Sequence, residues 1–260
     1  MSNNFDPNQN HHIYIKKDTT PLMFIHGVGL DHQMWDPQIN SLKEFSTITY
    51  DLLGHGKTPY KKEKLSLNDF SNQLIEILEH LKIDKIHLIG FSLGSLIALD
   101  FVSKMQNKVD KLILIGTTYK RSLKERSLVL DRYNQAKLNK PISKQALKRW
   151  FTDKYLEENP KTYDSFMNIL NKNSVDHKNF LKAYELFANH EDNIPLIQGI
   201  SSKTLVMTGS DDPGSTPAMS KELVKDIPNS SYIEIKKGKH LCSIECADDV
   251  NINIRNFINN

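Results

Sequence analysis

A chain of 260 residues with a net charge of +3 and 38% hydrophobic side chains is long enough for one sizeable α/β core with an insertion. Basic residues are scattered among acidic ones and no apolar run approaches the roughly 18 residues of a membrane span, so neither nucleic acid nor membrane is an expected partner. Residues 1–10 lack the basic flank and apolar stretch of a signal peptide, and Cys242 and Cys246, without a second pair, read as free thiols, so a cytoplasmic protein with no metal site is expected.

Residues 12–16 read as a short strand and 21–25 as a second, which runs into His26-Gly27-Val28-Gly29. Glycine-flanked backbone after a strand can turn its N–H groups inward, which makes the Val28 N–H a candidate donor to a developing oxyanion. Strand 47–50 runs into Asp51-Leu52-Leu53-Gly54-His55-Gly56, where Asp51 and His55 read as groups that brace neighbouring loops. The apolar strand 85–89 runs into Gly90-Phe91-Ser92-Leu93-Gly94, followed by a helical run over 95–105. Strand, sharp turn, helix is the context in which Gly-x-Ser-x-Gly pushes its hydroxyl into the open at the end of a sheet. The N–H of the next residue, Leu93, then points at whatever the hydroxyl attacks. Strand 111–115 ends in Gly116-Thr117-Thr118, which offers no carboxylate.

Beyond Thr118 the alternation stops. Helical stretches over 123–138, 144–151, 161–170 and 178–189, punctuated by Pro141 and Pro160, contain no convincing strand. Alternation resumes with strand 203–208, which runs into Gly209-Ser210-Asp211-Asp212-Pro213, then a helix over 218–227, a strand over 231–235 and Lys237-Gly238-Lys239-His240. Strands alternating with helices predict a mostly parallel sheet covered on both faces. Residues 1–117 and 199–260 form the expected core, and 118–198 an expected helical cap over Ser92.

A serine hydroxyl is a weak nucleophile and needs a base, usually a histidine held by a carboxylate. Among 10 histidines, His240 lies just past the last strand, where a mobile imidazole belongs. Asp212, after the strand before it, is the favoured acid; Asp211 is the alternative. His11, His12, His32, His80, His87, His177 and His190 read as solvated or local-structure residues. The chain order is Ser92, Asp212, His240.

With these motifs in this order, the chain resembles an α/β-hydrolase over nearly its whole length. The resemblance implies an α/β-hydrolase fold with a helical cap inserted after the sixth strand, and a shortened antiparallel start to the sheet. His26–Trp35 (HGVGLDHQMW) and Gly209–Met219 (GSDDPGSTPAM) are most similar to the 3-oxoadipate enol-lactonase group. That implies hydrolysis of a small carboxylate-bearing lactone or ester through an acyl-serine, with no cofactor. The alternatives are a hydrolase of carbon–carbon bonds in ring-cleavage products, a general carboxylesterase or thioesterase, and a ligand sensor that keeps the three residues. Serine at the apex separates the chain from haloalkane dehalogenases and epoxide hydrolases, which carry aspartate there.

The expected cap carries the clue to substrate. Of five arginines in a lysine-dominated chain, Arg121, Arg126, Arg132 and Arg149 fall in it. A planar guanidinium grips a carboxylate with two parallel hydrogen bonds, which lysine cannot copy. Arg149 and Arg126 are the favoured anion binders, with Trp150 as a wall of the acyl pocket.

Overall fold

The computed structural model describes residues 4–61, 63–138, 143–175 and 177–260, the side chains of 171–180 excepted. Seven strands build one sheet: β1 (His12–Ile15), β2 (Leu22–Ile25), β3 (Thr47–Tyr50), β4 (Ile86–Phe91), β5 (Val109–Ile115), β6 (Lys203–Gly209) and β7 (Ser230–Ile235). Their order is β1-β3-β2-β4-β5-β6-β7, and every pairing is parallel except β1 with β3. The central strands are largely apolar on both faces, β2 at every position, because helices cover the sheet on each side. Met23 and Ile25 face one core, while Leu22 and Phe24 face the other.

The first core packs the sheet on α2 (Leu67–Leu81), α3 (Leu93–Lys104) and α10 (Pro217–Asp226). The second packs it on α1 (Asp36–Ser41), α11 (Cys242–Glu245) and α12 (Ala247–Asn259). Ser66 caps α2 with a reciprocal capping box: its hydroxyl accepts from Asp69 N–H while the Asp69 carboxylate accepts from Ser66 N–H.

Between β5 and β6 the chain forms α4 (Leu123–Lys137), α5 (Ser143–Trp150), α6 (Asp153–Glu158), α7 (Pro160–Val175), α8 (His177–Asn189) and α9 (Ile194–Gln198). Pro141 lies outside the described residues. The helical segment leaves the sheet after its fifth strand, a correction to the expected sixth: a single antiparallel strand, β1, precedes β2 among the described residues. Helices α4 and α8 continue the first core through Val129, Tyr133 and Phe187, and α5 and α7 continue the second through Leu147, Trp150 and Phe166. The segment therefore straddles the sheet at the end where β4 delivers Ser92.

Candidate active site

Strand β4 ends at Phe91 and helix α3 begins at Leu93, so one residue makes the whole turn. Ser92 makes it with φ 53° and ψ −115°, a region a serine occupies only under constraint. Its N–H donates to Ile115 O at 2.9 Å, which ties the turn to β5. The flanking glycines are required by close approach: a Cβ on Gly94 would stand 2.3 Å from Ile25 O, and one on Gly90 would stand 2.4 Å from Gly94 O. Ser92 is 4% exposed and opens into a cavity.

Loops after β6 and β7 bring a histidine and an aspartate to the same cavity. His240 Nδ1 lies 2.6 Å from Asp212 Oδ2. The other oxygen, Oδ1, accepts from Gly214 N–H at 2.8 Å and Ser215 N–H at 2.9 Å, so the buried carboxylate is satisfied and its direction set. Asp211 points away and is exposed; its N–H donates to Gly238 O at 3.0 Å. The two loops touch at Gly209, where a Cβ would be 2.3 Å from both Gly238 O and Lys239 O. The His240 ring packs 4.8 Å from Phe91, the residue before Ser92.

The loop after β2 is held by two histidines the sequence pattern left without detailed roles. His26 Nδ1 lies 2.8 Å from Gly27 O, and its Nε2 accepts from Leu52 N–H at 2.9 Å. His55 Nδ1 lies 3.1 Å from Leu53 O, and its Nε2 accepts from Gly29 N–H at 3.1 Å. A carbonyl can only accept, so in both rings Nδ1 carries the proton and the imidazole is neutral. Burial pushes His26 down to about 3 and His55 down to about 4, which keeps them so. Below them Asp51 accepts from His32 N–H at 3.0 Å, His32 Nδ1 at 2.7 Å and Lys57 N–H at 2.9 Å. His11 Nδ1 is 2.9 Å from the same carboxylate, off the line of a good hydrogen bond. Burial opposes the Asp51 charge, yet these partners win and hold its carboxyl far below the usual range. The backbone this framework fixes carries Val28, which lines the cavity. Neither the Val28 nor the Leu93 N–H donates to a protein acceptor among the described residues.

The cavity has a volume of about 80 Å³ and walls of Val129, Ala146, Trp150, Leu170 and Phe187, all from the helical segment. Two guanidinium groups enter this apolar lining, those of Arg132 and Arg149. Neither forms an ion pair among the described residues; Arg149 Nη1 donates to Gln145 O at 3.3 Å. Burial, then the neighbouring Arg132 charge, pushes Arg149 down to about 10, still a cation at neutral pH. Arg126 is a correction. It pairs with Glu191 at 2.8 Å and donates from Nε to Arg121 O, away from the cavity. Arg121 does not line the cavity either; its Nη2 donates to Phe187 O and His190 O.

The family model for the alpha/beta hydrolase fold matches residues 20–246. The chain belongs to the α/β-hydrolase family. Its relatives include an (E)-2-((N-methylformamido)methylene)succinate hydrolase of Acinetobacter baylyi, 28% identical over 94% of this chain and 92% of the relative. The 3-oxoadipate enol-lactonase 2 of the same organism is 24% identical over 91% of this chain and 87% of the relative. Among solved structures, the enol-lactonase from Burkholderia xenovorans LB400 superposes with a TM-score of 0.89 at 23% identity, covering 96% of each chain. That likeness speaks for the fold.

Within this α/β-hydrolase, His55 braces the loop after β2 as the sequence suggested, while sequence reasoning missed His26 as its second brace and Arg132 as a cavity residue. Of the two readings left open for His11, His12 and His87, solvated or local-structure, the second fits: all three are buried, beside Asp51, Asn10 and Asp110. The side chain of His177 lies outside the described residues. His11, His32 and Asp51 are one group of metal-ligand types brought close together. Their nitrogen–oxygen separations are of hydrogen-bond length and Asp51 also carries two backbone N–H groups, so the cluster serves as a brace. Cys242 is buried and Cys246 half-buried, both as free thiols. No helix among the described residues is long and apolar enough to cross a membrane.

Proposed function

We propose that this α/β-hydrolase cleaves a small ester or lactone whose acyl part carries a carboxylate, through an acyl-serine intermediate. The observation that carries the reading is one cavity lined by Ser92, His240 and two arginines, Arg132 and Arg149, that form no ion pair among the described residues. Ser92 Oγ attacks the carbonyl while His240 takes its proton, and Asp212 orients the imidazole and stabilises the imidazolium. The N–H groups of Val28 and Leu93 receive the oxyanion; one such donor is typically worth about 10²–10³ in rate. Where the leaving group is an enol, it becomes a ketone and draws the first step forward. Water activated by His240 then releases the acid. Arg149 and Arg132 hold the substrate carboxylate, with Trp150 as a wall and residues 118–198 as the cap.

Monomethyl succinate and methyl butyrate share the ester and its two methylenes and differ by a carboxylate against a methyl, so they test the charged end of the acyl group. The wild type is expected to favour the succinate in kcat/KM, with Ser92→Ala as the blank. Arg149→Lys should raise KM for monomethyl succinate about tenfold and leave methyl butyrate unchanged, the scale of one charge-assisted hydrogen bond. Equal effects on both esters would remove Arg149 from the reading. Turnover that survives in Ser92→Ala would remove the acyl-serine.

A further inference from the structure

Two adjacent threonines, Thr117 and Thr118, follow β5, and both hydroxyls are buried without a hydrogen-bond partner. Buried hydroxyls are normally satisfied, so each is an exception that calls for a physical reason. The two differ in one respect. Thr118 lines the cavity with Ser92 and His240, and Thr117 does not. Thr118 is 3% exposed, two residues beyond Gly116, whose α-carbon lies against the His240 ring.

The segment that carries it is clamped. Tyr119 Oη donates to Asp226 at 2.7 Å, Lys120 N–H donates to Asp192 at 2.7 Å, and Arg121 donates to Phe187 O and His190 O. Thr118 is therefore held in place with its hydroxyl unused, which is the condition of a group pre-organised for a ligand.

The charged groups of the lining offer it no acceptor. Both oxygens of Asp212 are engaged, by His240 and by the Gly214 and Ser215 N–H groups. The guanidinium groups of Arg132 and Arg149 can only donate. Among the described residues no group accepts from the Thr118 hydroxyl, which leaves it available to an oxygen of the substrate.

We infer that Thr118 is a substrate-binding residue whose hydroxyl donates to an oxygen of the carboxylate on the acyl group, a third donor beside Arg132 and Arg149. This inference rests on the reading of the cavity as the site of an anionic ester or lactone. It adds a neutral hydrogen bond to the charge attraction, and so an orientation requirement that two cations alone do not impose.

Thr118→Val keeps the shape and removes the hydroxyl, Thr118→Ser restores it, and Thr117→Val is the control for an unpartnered hydroxyl outside the cavity. The readouts are the kcat/KM ratio of monomethyl succinate to methyl butyrate and the thermal midpoint of the free protein. Thr118→Val should lower the ratio about tenfold, Thr118→Ser should keep it within about threefold, and Thr117→Val should leave it unchanged. The thermal midpoint of Thr118→Val should equal or exceed that of the wild type, because no bond of the free protein is lost. A fall of more than about 3 °C would mean that the hydroxyl serves the fold, and would overturn the inference. A wild-type preference that Thr118→Val retains in full overturns the role of Thr118 and leaves the anionic-substrate reading standing. No wild-type preference overturns both.

Discussion

Asp211 and Asp212 are neighbours in the chain with opposite surroundings. Asp212 is buried, accepts two backbone N–H groups on one oxygen and faces His240 with the other, whereas Asp211 is exposed. Asp212→Asn should keep the loop intact and lower kcat for monomethyl succinate by about 10³–10⁴, because the amide then favours the wrong imidazole tautomer. Asp211→Asn should change kcat by less than about twofold; steady-state kinetics of the two variants would show the reverse pattern if the acid were Asp211. The roles proposed for Ser92, Asp212 and His240 were legible because each sits where a strand ends, a position that local patterning marks. The arginines were not. Val129, Tyr133 and Ala136 form the buried stripe of α4, and Arg126 and Arg132 lie on its two flanks, about 120° apart around the helix. Only the packing of α4 against α8 decides which flank meets the cavity.

At the scale of elements, the apolar runs of β2, β3, β4, β5 and β6 are strong enough to be read directly, since a strand buried on both faces needs no alternation. The connections between them were legible as turns but not as machinery. Nothing local marks His26 and His55 as a matched pair that supports the loop carrying Val28. That pairing depends on β2 and β3 lying side by side. It also makes stability depend on pH. His12, His26, His55 and His87 are held below their ordinary value of 6.5 by burial; His32 is raised, its bonds to Asp51 outweighing burial. Between pH 6.5 and about 4 the unfolded chain binds protons that His26 and His55 refuse in the fold, so stability falls as pH falls through that window. His32 acts above that window: its raised proton affinity adds stability that is present below pH 6.5 and is lost as pH rises past it. The thermal midpoint should be highest near pH 6.5–7 and decline steadily from pH 6.5 to pH 4, with a shallower decline in His55→Gln. A midpoint independent of pH over that range would mean that the two rings are not held neutral.

Across the whole molecule, the two ends of the helical segment are clasped to the core at one carboxylate. Asp226, the last residue of α10, accepts from Tyr119 Oη at 2.7 Å and Lys120 Nζ at 2.6 Å on the outgoing chain and from Gln198 Nε2 at 2.9 Å on the returning one. The bonds from Lys120, Tyr119 and Gln198 hold its carboxyl down at about 2, so the clasp stays charged at any ordinary pH. Lys120 takes a left-handed backbone, φ 45°, to reach both Asp226 and, through its N–H, Asp192. Asp226→Asn should loosen the position of Arg132 and Arg149 over Ser92. KM for monomethyl succinate is expected to rise by about three- to tenfold with kcat within about twofold, because the proposed reacting groups lie in the core loops and the proposed anion contacts in the segment. A drop in kcat at constant KM would place the clasp in the chemistry instead.

The seam between β5 and β6 has a consequence for the order of assembly. Ile115 pairs in register with Met207, yet the whole helical segment is threaded between them. Closing so long a loop costs chain entropy before any contact across it is gained, which makes this the slow pairing of the sheet. Strands β1 to β5 and the sharp turn at Ser92 are all encoded ahead of the seam, whereas Asp212 and His240 come after it. During synthesis Ser92 is thus shaped on a half-built sheet with a bare β5 edge, and it meets the proposed base and acid only when the far strands dock. On that proposal, a newly made molecule stays chemically inert until its last two strands are in place.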